Sequence, residues 1–229
     1  MALYAIGDLH LCLGAPKPMD IFGGAWVGYM DKLRQGLSVI GPEDTTVLLG
    51  DLSWALDLES AKPDFAWISR IPGKKIILKG NHDYWWSTAG KFEKFCEENG
   101  FENLHLLNNN AYAYGPYAIC GTRGWFFEEE RSGQHDIKVF RRELLRLEAS
   151  LKAAGEGQKL VFLHYPPKYK GYECSEILNL LERYGVRRCF YGHLHGGSHR
   201  LAMEGQWNGV EYRLVAADYL GFQPYPVIL

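Results

Sequence analysis

Ile76-Ile77-Leu78-Lys79-Gly80-Asn81-His82-Asp83 is the stretch on which the reading of this chain turns. A short β-branched run halted by a glycine is the pattern of a buried strand ending in a tight turn. The turn then presents an amide, an imidazole and a carboxylate in succession, three groups with no packing role in common. Asn and Asp also favour turns for their own backbone reasons, so this stretch alone fits a plain turn as well as a site. The same arrangement recurs at four other points of the chain, and turn chemistry does not explain that recurrence.

Outward from this point, apolar runs and turn residues predict a strand at Leu3–Ile6 ahead of Gly7-Asp8-Leu9-His10, and one at Thr46–Leu49 ahead of Gly50-Asp51. Lys75–Leu78 leads into the opening stretch. Lys159–Leu163 precedes His164, and Cys189–Tyr191 precedes Gly192-His193-Leu194-His195. Between them lie helical stripes: Trp26, Met30, Leu33, Leu37 and Ile40, stopped by Gly41-Pro42; Trp85, Ala89, Phe92 and Cys96, stopped by Asn99-Gly100; Phe140, Leu144, Leu147 and Leu151; and Ile177, Leu178, Leu181 and Tyr184. Pro63 is expected to open a short helix. Short strands are expected at 104–107, 111–114, 117–120 and 210–215, with a last one at 227–229. Alternating strands and helices imply parallel βαβ units, and the later strand clusters imply a second sheet. The expectation is an α/β chain of one domain, residues 1–229, with two mixed sheets flanked by helices.

The 229 residues are 47% hydrophobic and 23% charged, with a formal net charge of -2. That excludes a global basic field drawing in nucleic acid or anionic lipid. The five cysteines are widely spaced, odd in number and without a Cys-x-x-Cys pair, which fits a reducing compartment better than a disulfide framework. The start of the chain has no basic region before an apolar one, and no apolar run reaches the roughly 18 residues of a membrane span. A cytoplasmic protein with no membrane partner is the expectation.

Five predicted strands thus run into a metal-competent residue: Asp8, Asp51, Asn81, His164 and His193. In open α/β sheets the ligand crevice lies beyond the carboxyl ends of the strands, so such positions would meet along one edge. His10 and His195 each follow two residues after the first ligand, and alternate side chains of an extended chain point the same way. Imidazoles, carboxylates and one amide oxygen suit zinc, manganese or iron rather than calcium. Seven ligands exceed one tetrahedral shell and suit two ions sharing a carboxylate. His105, His135 and His199 read as ordinary surface or satisfied histidines.

The series Asp8-x-His10, Gly50-Asp51, Gly80-Asn81-His82-Asp83, His164 and Gly192-His193-x-His195 resembles the calcineurin-like metallophosphoesterase superfamily over residues 8 to 195. The resemblance implies a β-sandwich of two packed mixed sheets with flanking helices, and a two-metal phosphoester hydrolase. It also implies that Asp8, His10 and His195 hold one ion, that Asn81, His164 and His193 hold the other, and that Asp51 bridges. Gly50-Asp51 continues as Leu52-Ser53-Trp54-Ala55-Leu56, not as the x-x-Asp-Arg-Gly continuation of the Ser/Thr protein phosphatases, which argues against phosphoprotein substrates. The segment Met19-Asp20-Ile21-Phe22-Gly23-Gly24 resembles a less characterised prokaryotic branch.

Two ions would generate the attacking hydroxide from water and clamp the phosphate oxygens. His82, spare as a ligand, is then the expected general acid, with Asp83 orienting its imidazole. The expected substrate is a small phosphomonoester or phosphodiester, a nucleotide among them. A nuclease of the same superfamily and a non-catalytic scaffold are the alternatives; the negative charge weighs against the first and the full motif set against the second. Arg123 is a candidate phosphate contact. Tyr84, Trp85, Trp86, Trp125, Phe126 and Phe127 are either base-stacking residues or core, and Glu128-Glu129-Glu130 is expected to be a solvated acidic loop.

Overall fold

The computed structural model describes residues 1–125 and 134–229. The stretch 126–130, with its aromatic pair and acidic run, therefore lies outside the described residues, as does the His135 side chain. The described residues divide into two compact units, Met1–Leu106 with Val215–Leu229, and Leu107–Leu214.

The first unit holds β1 (Leu3–Ile6), α1 (Tyr29–Leu37), β2 (Thr45–Leu48), α2 (Leu58–Arg70), β3 (Lys74–Ile77), α3 (Ala89–Asn99), β4 (Leu104–Leu106) and, from the end of the chain, β13 (Tyr225–Ile228). Its sheet runs β13-β1-β2-β3-β4. β1 to β4 are mutually parallel, and β13 is antiparallel to β1. Parallel strands need both faces covered, and α1, α2 and α3 cover one of them. Leu33 and Leu37 of α1, Phe65 and Ile68 of α2 and Phe92 and Phe95 of α3 join Ile6, Leu48, Ile77 and Leu106 in one core. Each such side chain stabilises by about 1.5–3 kcal/mol when fully buried. Trp85, 2% exposed, meets the Phe65 ring edge-on at 4.8 Å.

Three helix starts differ from the sequence pattern: Trp85 lies outside α3, which Thr88 opens. Pro63 does not open α2 but lies inside it; Asp57 opens the helix, its side chain accepting from Ser60 N–H in a capping box. Trp26 belongs to a short 3-10 turn, because Gly28 at φ 65° interrupts the stripe before α1. The far end of α2 is closed by Lys75, a buried lysine whose ammonium donates to the carbonyls of Ile71, Pro72 and Gly73.

The second unit holds β5 (Tyr112–Tyr114), β6 (Tyr117–Thr122), α4 (Gln134–Ala153), β7 (Gln158–Leu163), the small hairpin β8 (Lys168–Tyr169) and β9 (Tyr172–Glu173), α5 (Ser175–Arg183), β10 (Arg188–Tyr191), β11 (Gly205–Trp207) and β12 (Val210–Leu214). Its main sheet runs β11-β12-β10-β7-β6-β5, parallel at the centre and antiparallel at both edges. The central β7 is fully buried from Leu160 to Leu163. The chain therefore has two large mixed sheets with helices, as expected. All five cysteines are free thiols. Among the described residues, no helix is long and apolar enough to cross a membrane.

Candidate functional site

In the first unit, β1, β2 and β3 are adjacent, parallel and in register, Ile6 opposite Leu48 and Leu48 opposite Ile77. The loops carrying Asp8 and His10, Asp51, and Asn81 to Asp83 consequently leave one edge of one sheet. Backbone hydrogen bonds bind the first two together: Asp8 N–H donates to Gly50 O at 2.9 Å, His10 N–H to Asp51 O at 2.9 Å and Leu11 N–H to Leu52 O at 2.8 Å. Ligand atoms of Asp8 lie within 4.8 Å of those of His10 and of Asp51. His10 Nε2 stands 4.0 Å from Asp51 Oδ2, while Asp51 Oδ1 accepts the His82 backbone N–H at 2.7 Å. Asp8, His10 and Asp51 are all under 4% exposed, and Asn81 and His82 are half-buried.

The backbone here is bent into the left-handed region, at φ 61° for Asp8, 46° for His10 and 50° for Asp51. Such conformations cost of order 1–3 kcal/mol and persist where surrounding structure forces them, commonly at functional sites. Two glycines make the crowding possible. A Cβ on Gly80 would sit 2.1 Å from Asp51 Oδ1, and one on Gly50 would sit 2.3 Å from Gly80 N.

Asp83 has a different task from the one expected of it. Its Oδ2 accepts from Asp51 N–H at 2.8 Å and Gly80 N–H at 2.7 Å, and its Oδ1 from Leu52 N–H and Trp85 Nε1–H, both at 2.8 Å. The carboxylate ties the loop after β2 to the loop after β3 and makes no bond to the His82 imidazole. His82 Nδ1 instead meets the Tyr84 hydroxyl at 3.1 Å.

An aromatic wall stands behind His10. Trp54 stacks on its ring at a centroid distance of 4.8 Å, Trp26 meets it edge-on at 5.7 Å, and the His82 ring lies 4.8 Å from Trp54. Trp54 Nε1–H donates to Met19 Sδ at 3.3 Å. The Tyr29 hydroxyl donates to His10 O at 3.1 Å, and burial pushes its pKa up, so it stays a donor. Trp54 and Tyr29 were invisible as site residues because nothing in spacing tells a wall from a core. The one signal is that Trp54 stands where the protein phosphatases have the Asp of Asp-Arg-Gly.

The second unit repeats the edge. β6, β7 and β10 are adjacent and parallel, with Thr122 and Tyr191 both opposite Leu163. Arg123, His164 and His193 therefore follow one sheet edge. His164 and Tyr165 donate their N–H groups to Arg123 O at 3.1 and 2.9 Å, and Gly192 N–H donates to His164 O at 3.0 Å. His193 has φ 73°, and its ring centroid lies 5.2 Å from that of His164. His195 precedes a 3-10 turn, Gly196–Leu201, and offers a ring nitrogen within 4.8 Å of one from His199, which the sequence reading set aside. The Arg123 guanidinium is engaged within the unit, 3.6 Å from the buried carboxylate of Glu143 and over the Trp125 ring at 5.3 Å. Trp85 is core.

Whether such residues fit a metal is tested by their burial. Asp8 and Asp51 place two dry carboxylates within 4.8 Å, a like-charge cost that a divalent cation would offset. The donor set of the motifs, carboxylate, imidazole and amide oxygen, is the mixed N/O kind that zinc, manganese and iron accept. The geometry brings together residues that could hold a metal ion. The chain belongs to the calcineurin-like phosphoesterase family, whose model matches residues 1–197. It is 26% identical over 159 residues to human tartrate-resistant acid phosphatase type 5, a match covering 62% of this chain and 48% of that protein. The chain thus spans about half the length of that curated relative. Its fold is similar to that of a phosphopantetheinyl hydrolase from Mycobacterium tuberculosis, with a TM-score of 0.62 and 14% identity over 99% of this chain and 95% of that one. A protein of unknown function from Aquifex aeolicus is similar at a TM-score of 0.55 and 16% identity, over 98% and 95% of the two chains.

Proposed function

We propose that this chain is a two-metal phosphohydrolase acting on a small phosphoester. Asp8, His10 and His195 would hold one ion, Asn81, His164 and His193 the other, with Asp51 shared. Manganese, iron or zinc would suit this set. Divalent ions in such a setting supply a nucleophile at neutral pH and neutralise charge on phosphate oxygens. The observation that carries the reading is the left-handed backbone of Asp8, His10, Asp51 and His193, four of the seven non-glycine residues so bent among those described. Strain placed at the motif residues supports a role for their side chains that packing does not require.

The remaining groups have roles this chain's own contacts support. His82, whose Nδ1 faces the Tyr84 hydroxyl, holds a proton for the leaving oxygen at Nε2. Asp83 fixes the two loops on which Asp51 and His82 ride. The Trp54 and Trp26 rings hold His10 in one orientation. Small esters rather than phosphoproteins are favoured because Trp54, Ala55 and Leu56 stand where the protein phosphatases have Asp-Arg-Gly.

The test is hydrolysis of 4-nitrophenyl phosphate, bis(4-nitrophenyl) phosphate and a phosphopeptide by the full chain, with manganese supplied and with EDTA. Metal-dependent cleavage of an aryl ester is expected, with the phosphopeptide the poorest substrate. No metal-dependent cleavage of any ester would overturn the proposal, and a phosphopeptide that outcompetes both aryl esters would overturn its substrate class.

A further inference from the structure

Lys17 is an exposed cation that no carboxylate pairs with among the described residues, and it lies against an aromatic ring of the candidate site. Its Nζ stands 3.2 Å from the centroid of the Trp54 ring. The same indole stacks on His10 and lies 4.8 Å from the His82 ring. The Trp54 ring therefore touches both a positive charge and the proposed general acid.

The segment that carries Lys17 is held at every point where it could drift. Pro16 and Pro18 flank it, each fixing its own φ and restricting the residue before it. Lys17 N–H donates to Ala15 O at 2.8 Å, and Leu13 N–H donates to the buried Asp64 carboxylate at 2.8 Å. Gly14 lies so close to α2 that a Cβ would fall 1.8 Å from Ser60 O. Trp54 is pinned in turn, its N–H donating to Leu11 O at 3.0 Å and its Nε1–H to Met19 Sδ at 3.3 Å. An ammonium on an indole face keeps its outward donors available to a ligand while the ring holds its stem. A cation set in place before binding spends little entropy when an anion arrives.

We propose that Lys17 is a specificity determinant that binds a second anionic group carried on the leaving alcohol of the substrate, a phosphate or a carboxylate beyond the scissile ester. The assignment to the leaving side follows from Trp54, whose ring contacts His82, the group proposed to protonate the leaving oxygen. This inference rests on the phosphohydrolase reading above and adds to it the class of leaving group.

A matched pair of substrates tests it: propyl phosphate and propane-1,3-diol bisphosphate, assayed by phosphate release from the full chain with manganese supplied. Lys17→Met keeps most of the stem and removes the charge, and Lys17→Arg keeps the charge. The readout is the ratio of kcat/KM for the bisphosphate over the monophosphate, which does not depend on how much of a variant is folded. That ratio should fall about fivefold in Lys17→Met, the upper end of what one exposed ion pair contributes. Most of it should survive in Lys17→Arg, and 0.5 M salt should erase it in the unmodified chain. An unchanged ratio in Lys17→Met, or an equal loss in Lys17→Arg, would overturn the role of Lys17 while leaving the hydrolase standing. Cleavage of neither ester, and of no aryl ester, would overturn both.

Discussion

Asp83 is fully buried between the loop after β2 and the loop after β3. Its position after Asn81 and His82 marked it for the site, but its spacing held no information about where the carboxylate points. Accepting from four donors at 2.7–2.8 Å on two loops, it is a clasp. Asp83→Asn would put an NH₂ against amide donors and leave at least one buried N–H unsatisfied, a cost of about 1–3 kcal/mol per group. The expected outcome is a lowered urea midpoint together with weakened metal binding; an unchanged midpoint would contradict the clasp. His82 has the opposite profile, half-buried and bonded through Nδ1 to an exposed tyrosine. His82→Ala should keep bound metal but lower turnover of an alkyl ester by on the order of 10²–10⁴-fold. The loss should be smaller on a nitrophenyl ester, whose leaving group needs little protonation. Equal losses on both esters would remove His82 as the acid.

Among the elements, the strands were the most legible. β1 spans the residues expected, and β2 and β3 are each displaced by a single residue, because short β-branched runs ended by glycine have few other readings. Helix starts were less so. A stripe continues through Trp26 or Trp85 whenever a loop also buries its aromatics, and only the caps at Asp57 and Thr88 mark the true openings. The closeness of the loops after β2 and β3 was not readable, since it depends on register. It makes a sharp demand on Gly80: Gly80→Ala would drive a Cβ into Asp51 Oδ1 and N, so metal binding should fall at least tenfold even if the chain folds. Ordinary metal affinity in that variant would show that the loops can part. β4 offers a pH test. Burial, then the positive charges of Lys74 and Lys75, hold the His105 imidazole below its usual value of 6.5. The unfolded chain takes up this proton first, so the stability tied to His105 is full above about pH 6.5 and is lost as pH falls. His105→Gln should flatten the fall of the urea midpoint between pH 7 and about 5; an identical fall would assign it to other groups.

At the scale of the whole chain, the same device appears twice. In each unit, adjacent parallel strands in register deliver ligand-type side chains to one sheet edge, Asp8, Asp51 and Asn81 in one, His164 and His193 in the other. Parallel pairing explains why residues so distant in sequence recur after the same pattern: it sets the carboxyl ends of neighbouring strands side by side, where open α/β sheets form their ligand crevice. Family membership and the strained backbone of the motif residues lead to one central claim, a pair of divalent ions sharing Asp51. Elemental analysis of the freshly purified full chain, after incubation with manganese and removal of free ion, tests this most directly when Asp51→Asn is treated in parallel. The account requires two ions per unmodified chain and loss of both, or nearly both, in Asp51→Asn. A single ion per unmodified chain, or two that Asp51→Asn retains in full, would contradict it.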